Sequence, residues 1–208
     1  MANFFISDLH LGHNKALFYD DRPFCTLDEE NAVIIERWND TVSPHQHVYI
    51  LGDVVFDNFY LQLVVGELNG VKHLIAGNHD KITPEFKKYF ASIDYYKKIR
   101  DEDGRTIIMS HYPMAHWEMA DRGSYHLYGH IHMGRDLNPY LKYKREMLKR
   151  PHIPYKCYNV GCMLPYMDYT PRTLDEIIEG GDAWENEKWK TIDEEVPTRE
   201  TYSVRNTI

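Results

Sequence analysis

The sequence predicts an α/β fold whose chemistry collects at strand ends, and two observations carry that expectation. Apolar runs rich in β-branched and aromatic residues recur at FFIS, HVYIL, KHLIA, RTIIMS, YHLY and CYNVG, and the segments between them are mostly helical. Nearly every one of these runs in the first two thirds of the chain stops abruptly at Gly, Asp, Asn or His.

Taken in order, FFIS ends in Asp8-Leu9-His10, followed by His13. The next stretch, TLDEE, carries a capping-box signature in Thr26 and Glu29, and Val33, Ile34 and Trp38 then recur on one helical face. HVYIL leads into Gly52-Asp53, after which a helix is expected to begin near Asp57. KHLIA leads into Gly77-Asn78-His79-Asp80, and Thr83-Pro84 then marks a helix start with Thr as N-cap and Pro at the first helical position. RTIIMS ends in His111, and YHLY ends in Gly129-His130-Ile131-His132. The basic stretch NPYLKYKREMLKR then reads as an insertion or lid over 138–156, or as a solvated helix covering the sheet. One domain is expected over 1–192, with a polar tail over 193–208 serving as a loose arm or an oligomer contact.

A composition of 43% hydrophobic and 27% charged residues fits a globular chain, and no apolar run is long enough to cross a bilayer. The first residues lack the basic and apolar regions of a signal peptide, which points to the cytoplasm. Cys25, Cys157 and Cys162 form no CxxC pair and read as packing residues in a reducing compartment. The net charge of -8 opposes a general nucleic-acid coat, although two divalent cations would halve it and concentrate positive potential in one cleft.

Open α/β sheets bind ligands just outside the carboxyl ends of their strands, so these turns can converge on one crevice. Asp8 and His10 lie two residues apart, as do His130 and His132, a spacing that in extended backbone points both side chains the same way. The set contains carboxylates, imidazoles and an amide without a thiolate, and suits Mn, Fe, Zn or Ni. Seven such ligands are too many for one tetrahedral ion and fit two ions that share a carboxylate. DxH or GD alone is ordinary turn chemistry. Five clusters in succession, each placing costly polar groups behind a hydrophobic strand, are not.

The blocks DxH, GD, GNHD, a lone His and GHxH, in this order, resemble the calcineurin-like metallophosphoesterase superfamily over residues 3 to about 165. SDLHLGHN at the start and Tyr158-Asn159-Val160-Gly161 near the end are similar to its small bacterial and phage-type members. The resemblance implies a four-layer α/β/β/α sandwich of two mixed sheets, with a dinuclear metal site at the strand carboxyl ends. It implies that Asp8, His10 and His132 hold one divalent ion, that Asn78, His111 and His130 hold the other, and that Asp53 bridges them. His79 would face the scissile phosphate, oriented by Asp57 or Asp80. Serine/threonine phosphatases of the superfamily carry GDxVDRG where this chain reads GDVVFDN, so protein phosphatase activity is disfavoured.

The implied activity is hydrolysis of a small phosphomonoester, phosphodiester or nucleotide by a metal-activated hydroxide. His13, Asn14, Arg22 and His116 are candidate substrate contacts. Two other readings stand beside it: a noncatalytic scaffold of the same fold that binds protein partners, and a nuclease, favoured only by the basic segment.

Overall fold

The apolar runs form the expected strands and build two mixed sheets. The computed structural model describes residues 2–151 and 154–194. The first sheet has the order β4-β3-β2-β1-β9, from β1 (Phe4–Ile6), β2 (His47–Ile50), β3 (Val71–Ile75), β4 (Ser92–Asp94) and β9 (Arg172–Thr173). Its strands run parallel apart from β9, which pairs antiparallel with β1. The second has the order β5-β6-β7-β8, from β5 (Tyr96–Arg100), β6 (Thr106–Ser110), β7 (Tyr125–Tyr128) and β8 (Cys157–Asn159), with only the β5–β6 pair antiparallel.

Alternation along β6 explains how the second sheet is covered. Ile107 and Met109 join a core that also holds Ile6, Ile50 and Leu74 of the first sheet, Ile34 and Trp38 of α2 (Leu27–Thr41), and Ile177 of α5 (Leu174–Glu194). Ile108 points the other way, into a cluster with Tyr128, Tyr155 and Met147, the last from α4 (Leu137–Leu148). The two sheets are joined where their carboxyl ends meet: the Ser7 N–H donates to Val160 O at 2.8 Å, and the Cys162 N–H donates to Ser7 O at 2.9 Å. That join decides where the site forms.

Helix starts follow the side chains identified in the sequence. The Thr26 hydroxyl accepts the Glu29 N–H, and Glu29 reaches back to the N–H of Cys25, one residue before the cap. Thr83 caps α3 (Pro84–Lys87) by accepting the Phe86 N–H. Near Asp57 the outcome is shorter and wider than an ordinary helix: Asp57 accepts the Phe59 N–H, and a π-helical turn covers Leu61–Val65. A further helix, α1 (Asn14–Tyr19), follows the first polar turn directly.

The basic stretch after Asn138 lies in α4, which buries Leu141, Lys144 and Met147. Lys144 donates to Glu185 of α5 at 2.6 Å, with both side chains about 3% exposed, so the two helices are fixed together by a buried ion pair. In α5, Gly180 and Gly181 let the helix approach closely: a Cβ at Gly180 would lie 2.7 Å from Tyr166 Cβ, and one at Gly181 would lie 3.1 Å from Tyr158 Cδ1. The tail expected from residue 193 falls outside the described residues after Glu194. Among the described residues no helix is long and apolar enough to cross a membrane.

His126 on β7 is buried and uses both ring nitrogens in its neutral form. Nε2 accepts the Met114 N–H at 3.1 Å, which leaves Nδ1 to carry the proton toward Ile108 O at 3.2 Å. Burial pushes its pKa down to about 4 from an ordinary 6.5. A group depressed in the folded state stabilises fully above its unfolded pKa, and that contribution is lost as pH falls from 6.5 toward 4. The expected loss is about 3 kcal/mol. Urea midpoints for wild type and His126→Asn should therefore converge as pH falls through this window, and parallel profiles would refute the assignment.

Candidate metal centre

The polar turns after β1, β2, β3, β6 and β7 meet at one place. Two His/Asp groups with ligand geometry result: Asp8, His10 and His132 in one, and Asp53, His111 and His130 in the other. Within each group the ligand atoms lie within 4.8 Å of one another. In the first, His132 Nε2 is 3.4 Å from Asp8 Oδ1 and 3.3 Å from His10 Nε2. Asp53 Oδ2 lies between the groups, 3.6 Å from His10 Nε2 and 3.5 Å from His111 Nε2. The Asn78 amide oxygen joins the second group, 3.0 Å from His111 Nε2, and also accepts from the Tyr112 hydroxyl at 3.1 Å.

Each candidate ligand is aimed by the bonds its other atoms make. Asp8 Oδ2 accepts from the Ser7 hydroxyl at 2.6 Å and from the His130 N–H at 2.9 Å, which turns Oδ1 toward the cluster. Asp53 Oδ1 accepts the His79 N–H at 2.9 Å, leaving Oδ2 between the groups. His111 Nδ1 donates to Leu51 O at 2.7 Å, and His132 Nδ1 donates to Asp20 Oδ1 at 2.9 Å. On losing the second proton to an incoming cation, both rings would keep Nδ1–H and present an Nε2 lone pair, the tautomer a metal ligand needs.

The backbone is bent to achieve this. Asp8, His10, Asp53 and His130 adopt left-handed conformations with φ of 58°, 50°, 53° and 67°. Each costs about 1–2 kcal/mol for a residue with a Cβ. The glycines of the motifs provide space. At Gly52, with φ of 93°, a Cβ would collide with the His111 ring, and one at Gly77 would collide with the Asp53 carboxylate.

Several expected roles change. Arg22 makes no substrate contact, because its side chain is 0% exposed and lies beneath the first group. It donates to Asp8 O at 3.0 Å, Leu9 O at 2.9 Å, Asp20 Oδ2 at 3.0 Å and Glu30 at 2.7 Å, and so clamps the strained Asp8-Leu9-His10 turn. Asp80 does not orient the His79 ring. Its carboxylate accepts the N–H groups of Gly77, Asp53 and Val54 at 2.8, 3.0 and 2.9 Å, which ties the turn after β3 to the turn after β2. Asp57 faces its own turn instead, through Phe59.

His79 lines a cavity over the two groups, as does His13, whose ring stacks on Phe56 at 4.1 Å. Asn14 and His116 are exposed and lie outside the cavity lining. Asp20, which the sequence reading passed over, is the direct support of His132. The signal lay in its neighbour: an acid two residues from an Arg that turns out to be buried.

Opposing charges stabilise one another in the cluster. Burial disfavours the Asp8 carboxylate, yet His132, His111 and His10 together hold its pKa well below the usual range. Burial likewise disfavours imidazolium at His132, but hydrogen bonds to Asp20 and Asp8 outweigh it and lift the pKa to about 10. His111 rises to about 9 against burial through Asp53, whereas burial pushes His10 down to about 4. The acids attract positive charge into a buried place, which is what a cation site requires.

No protein-family model matches the chain. The gene 66 protein of Mycobacterium phage D29 is 32% identical over 161 residues, an alignment covering 64% of this chain and 79% of that protein. The chain belongs to the gene 66 protein family. The gene 66 protein of phage L5 is 27% identical over 167 residues, covering 64% of this chain and 78% of that one. The uncharacterized protein MJ1445 of Methanocaldococcus jannaschii is 27% identical over 180 residues, covering 85% of this chain and 89% of that protein. Among solved structures, the protein of unknown function AQ665 from Aquifex aeolicus matches with a TM-score of 0.63 at 25% identity, covering 86% of this chain and 98% of that chain.

In this gene 66 family member, the Arg22–Asp20–His132 chain gives the first group its rigidity. Asp20→Asn should weaken Mn(II) or Zn(II) binding by about 10–100-fold while the fold persists. Equilibrium dialysis checks this, and unchanged affinity would remove Asp20 from the account.

Proposed function

We propose that this protein is a metal-dependent phosphoesterase of the calcineurin-like metallophosphoesterase type, built as a four-layer α/β/β/α sandwich and hydrolysing a phosphomonoester, phosphodiester or nucleotide. The single observation that carries the reading is the position of Asp53 Oδ2, 3.6 Å from a ring nitrogen of one His/Asp group and 3.5 Å from a ring nitrogen of the other. A shared carboxylate between two such groups supports a dinuclear centre. Its carboxylate, imidazole and amide donors suit Mn, Fe, Zn or Ni, the ion in the cell following from supply. Three free thiols, two of them buried, fit work in a reducing compartment such as the cytoplasm.

Two ions held there would supply hydroxide from water at neutral pH and neutralise the phosphoryl oxygens. Asp53 would be the ligand common to both, and its carboxylate is fixed by the His79 N–H. Asn78, His111 and His130 form the second position, with Tyr112 bonded to the Asn78 oxygen. The His79 side chain is exposed to the cavity and its ring centre lies 5.4 Å from that of His10, which suits it to protonate the leaving oxygen or to offset its developing charge. Against the scaffold reading, every expected ligand faces the cluster. Against the nuclease reading, the basic stretch from Asn138 to Arg150 includes a buried Lys144 bonded to Glu185, which takes one of its five cations away from any strand.

With Mn(II) present, wild type should hydrolyse bis(4-nitrophenyl) phosphate or 4-nitrophenyl phosphate; a protein that binds metal but cleaves neither would favour the scaffold. His79→Ala should retain metal and lose turnover, by about 100-fold or more for an alkyl phosphate. The loss should be much smaller for a nitrophenyl ester, whose leaving group needs no proton. Equal losses for both would assign His79 a purely electrostatic role.

A further inference from the structure

The cavity over the two His/Asp groups has a volume of about 870 Å³, far more than a phosphate fills and within the range that holds a ligand of nucleotide size. Its floor is His10, Asp53, His130 and His132, joined by His79; the rest of its lining belongs to two segments outside the candidate ligand set. One is made by His13, the N-cap of α1, with Ala16 and Tyr19, which lie three apart and therefore share a face of that helix. The other is Gly134-Arg135-Asp136, between His132 and α4. The two segments are tied at their base by the Asp20–His132 hydrogen bond, and Tyr19 and Arg135 both line the cavity.

The side chains on this rim are unengaged in ways that a ligand would use. Tyr19 is an aromatic ring left 68% exposed at the cavity wall. The Arg135 side chain is 94% exposed, and its contact with Asp136 is 3.8 Å between two solvated groups, which holds it weakly. Asp136 stands at the N-cap of α4 and makes no side-chain capping bond, so its carboxylate is available to accept. Ala16, between His13 and Tyr19, leaves a shallow gap along the helix face.

We infer that the cavity takes a nucleoside phosphate, with the phosphate at the His/Asp floor, the sugar over Ala16 and the base held by the Tyr19 ring and the Arg135 guanidinium. This rests on the phosphoesterase reading for what happens at the floor, and names the substrate class of that site. The chemistry of the rim selects among phosphate esters. A flat ring and a planar cation stack on a base, and Asp136 accepts from a base amine or a sugar hydroxyl. A sugar phosphate or a phosphorylated serine offers no aromatic base to Tyr19. The net charge of -8 favours a mononucleotide over a polyanionic strand.

The test measures binding, separately from turnover. Calorimetry on the Mn(II)-loaded protein compares the non-hydrolysable methylene-phosphonate analogues of AMP and of ribose 5-phosphate. The AMP analogue should bind about tenfold or more tightly than the ribose analogue, as base stacking requires. Tyr19→Phe should keep that ratio, and Tyr19→Ala and Arg135→Gln should each lower it at unchanged metal content. Equal binding of the two analogues by wild type, a ratio that survives Tyr19→Ala, or tighter binding of an oligoadenylate than of the AMP analogue would overturn the inference. Hydrolysis of bis(4-nitrophenyl) phosphate and of 4-nitrophenyl phosphate by wild type is read independently: failure to cleave either one, with the ratio intact, removes the esterase reading and leaves the nucleotide site standing.

Discussion

The Asp53 carboxylate is the point on which the architecture turns. One of its oxygens lies between the imidazoles of His10 and His111, which come from turns after β1 and β6 and so from different sheets. To hold it there, the chain puts Asp53 in a left-handed conformation, omits a Cβ at Gly52 and Gly77, and fixes the other oxygen with the His79 N–H. Asp80 then binds the Asp53 and Val54 amides from the next turn. A carboxylate this buried is stable only where positive charge faces it, and the imidazoles around it supply that role in the protein itself.

The strain is carried by a buried layer with no exposure of its own. Arg22 accounts for the two carbonyls that the Asp8-Leu9-His10 turn directs inward, and Glu30 and Asp20 neutralise the guanidinium. Removing one member would leave a buried charge unpaired, which costs more than the contact itself contributes. The same layer reaches the surface chemistry through Asp20 and His132, so the rigidity of the fold and the direction of a ligand ring have one cause.

How far the sequence could be read follows from what each segment had to satisfy. The six apolar strands were readable because burial demands apolar side chains, and the candidate ligands were readable because nothing else explains polar clusters behind them. β4 and β5 were not: β5 is an edge strand whose Tyr96, Lys98 and Arg100 face solvent, the charged dress that keeps edges from pairing. α5 carries Gly180-Gly181, a poor helix signal that the packing of Tyr158 and Tyr166 requires. Arg22 looked like an anion contact because an Arg near a ligand turn usually is one; only the fold reveals that Glu30 and Asp20 are already its partners.

With one carboxylate oxygen between two facing His/Asp groups, two cations bound here would sit close enough to sense each other. Electron paramagnetic resonance during Mn(II) titration is sensitive to that proximity. Wild type should take up two ions per chain with an exchange-coupled spectrum, and Asp53→Asn should lose ions from both positions. A single ion at saturation, two uncoupled ions, or an Asp53→Asn protein that still holds a coupled pair would contradict this.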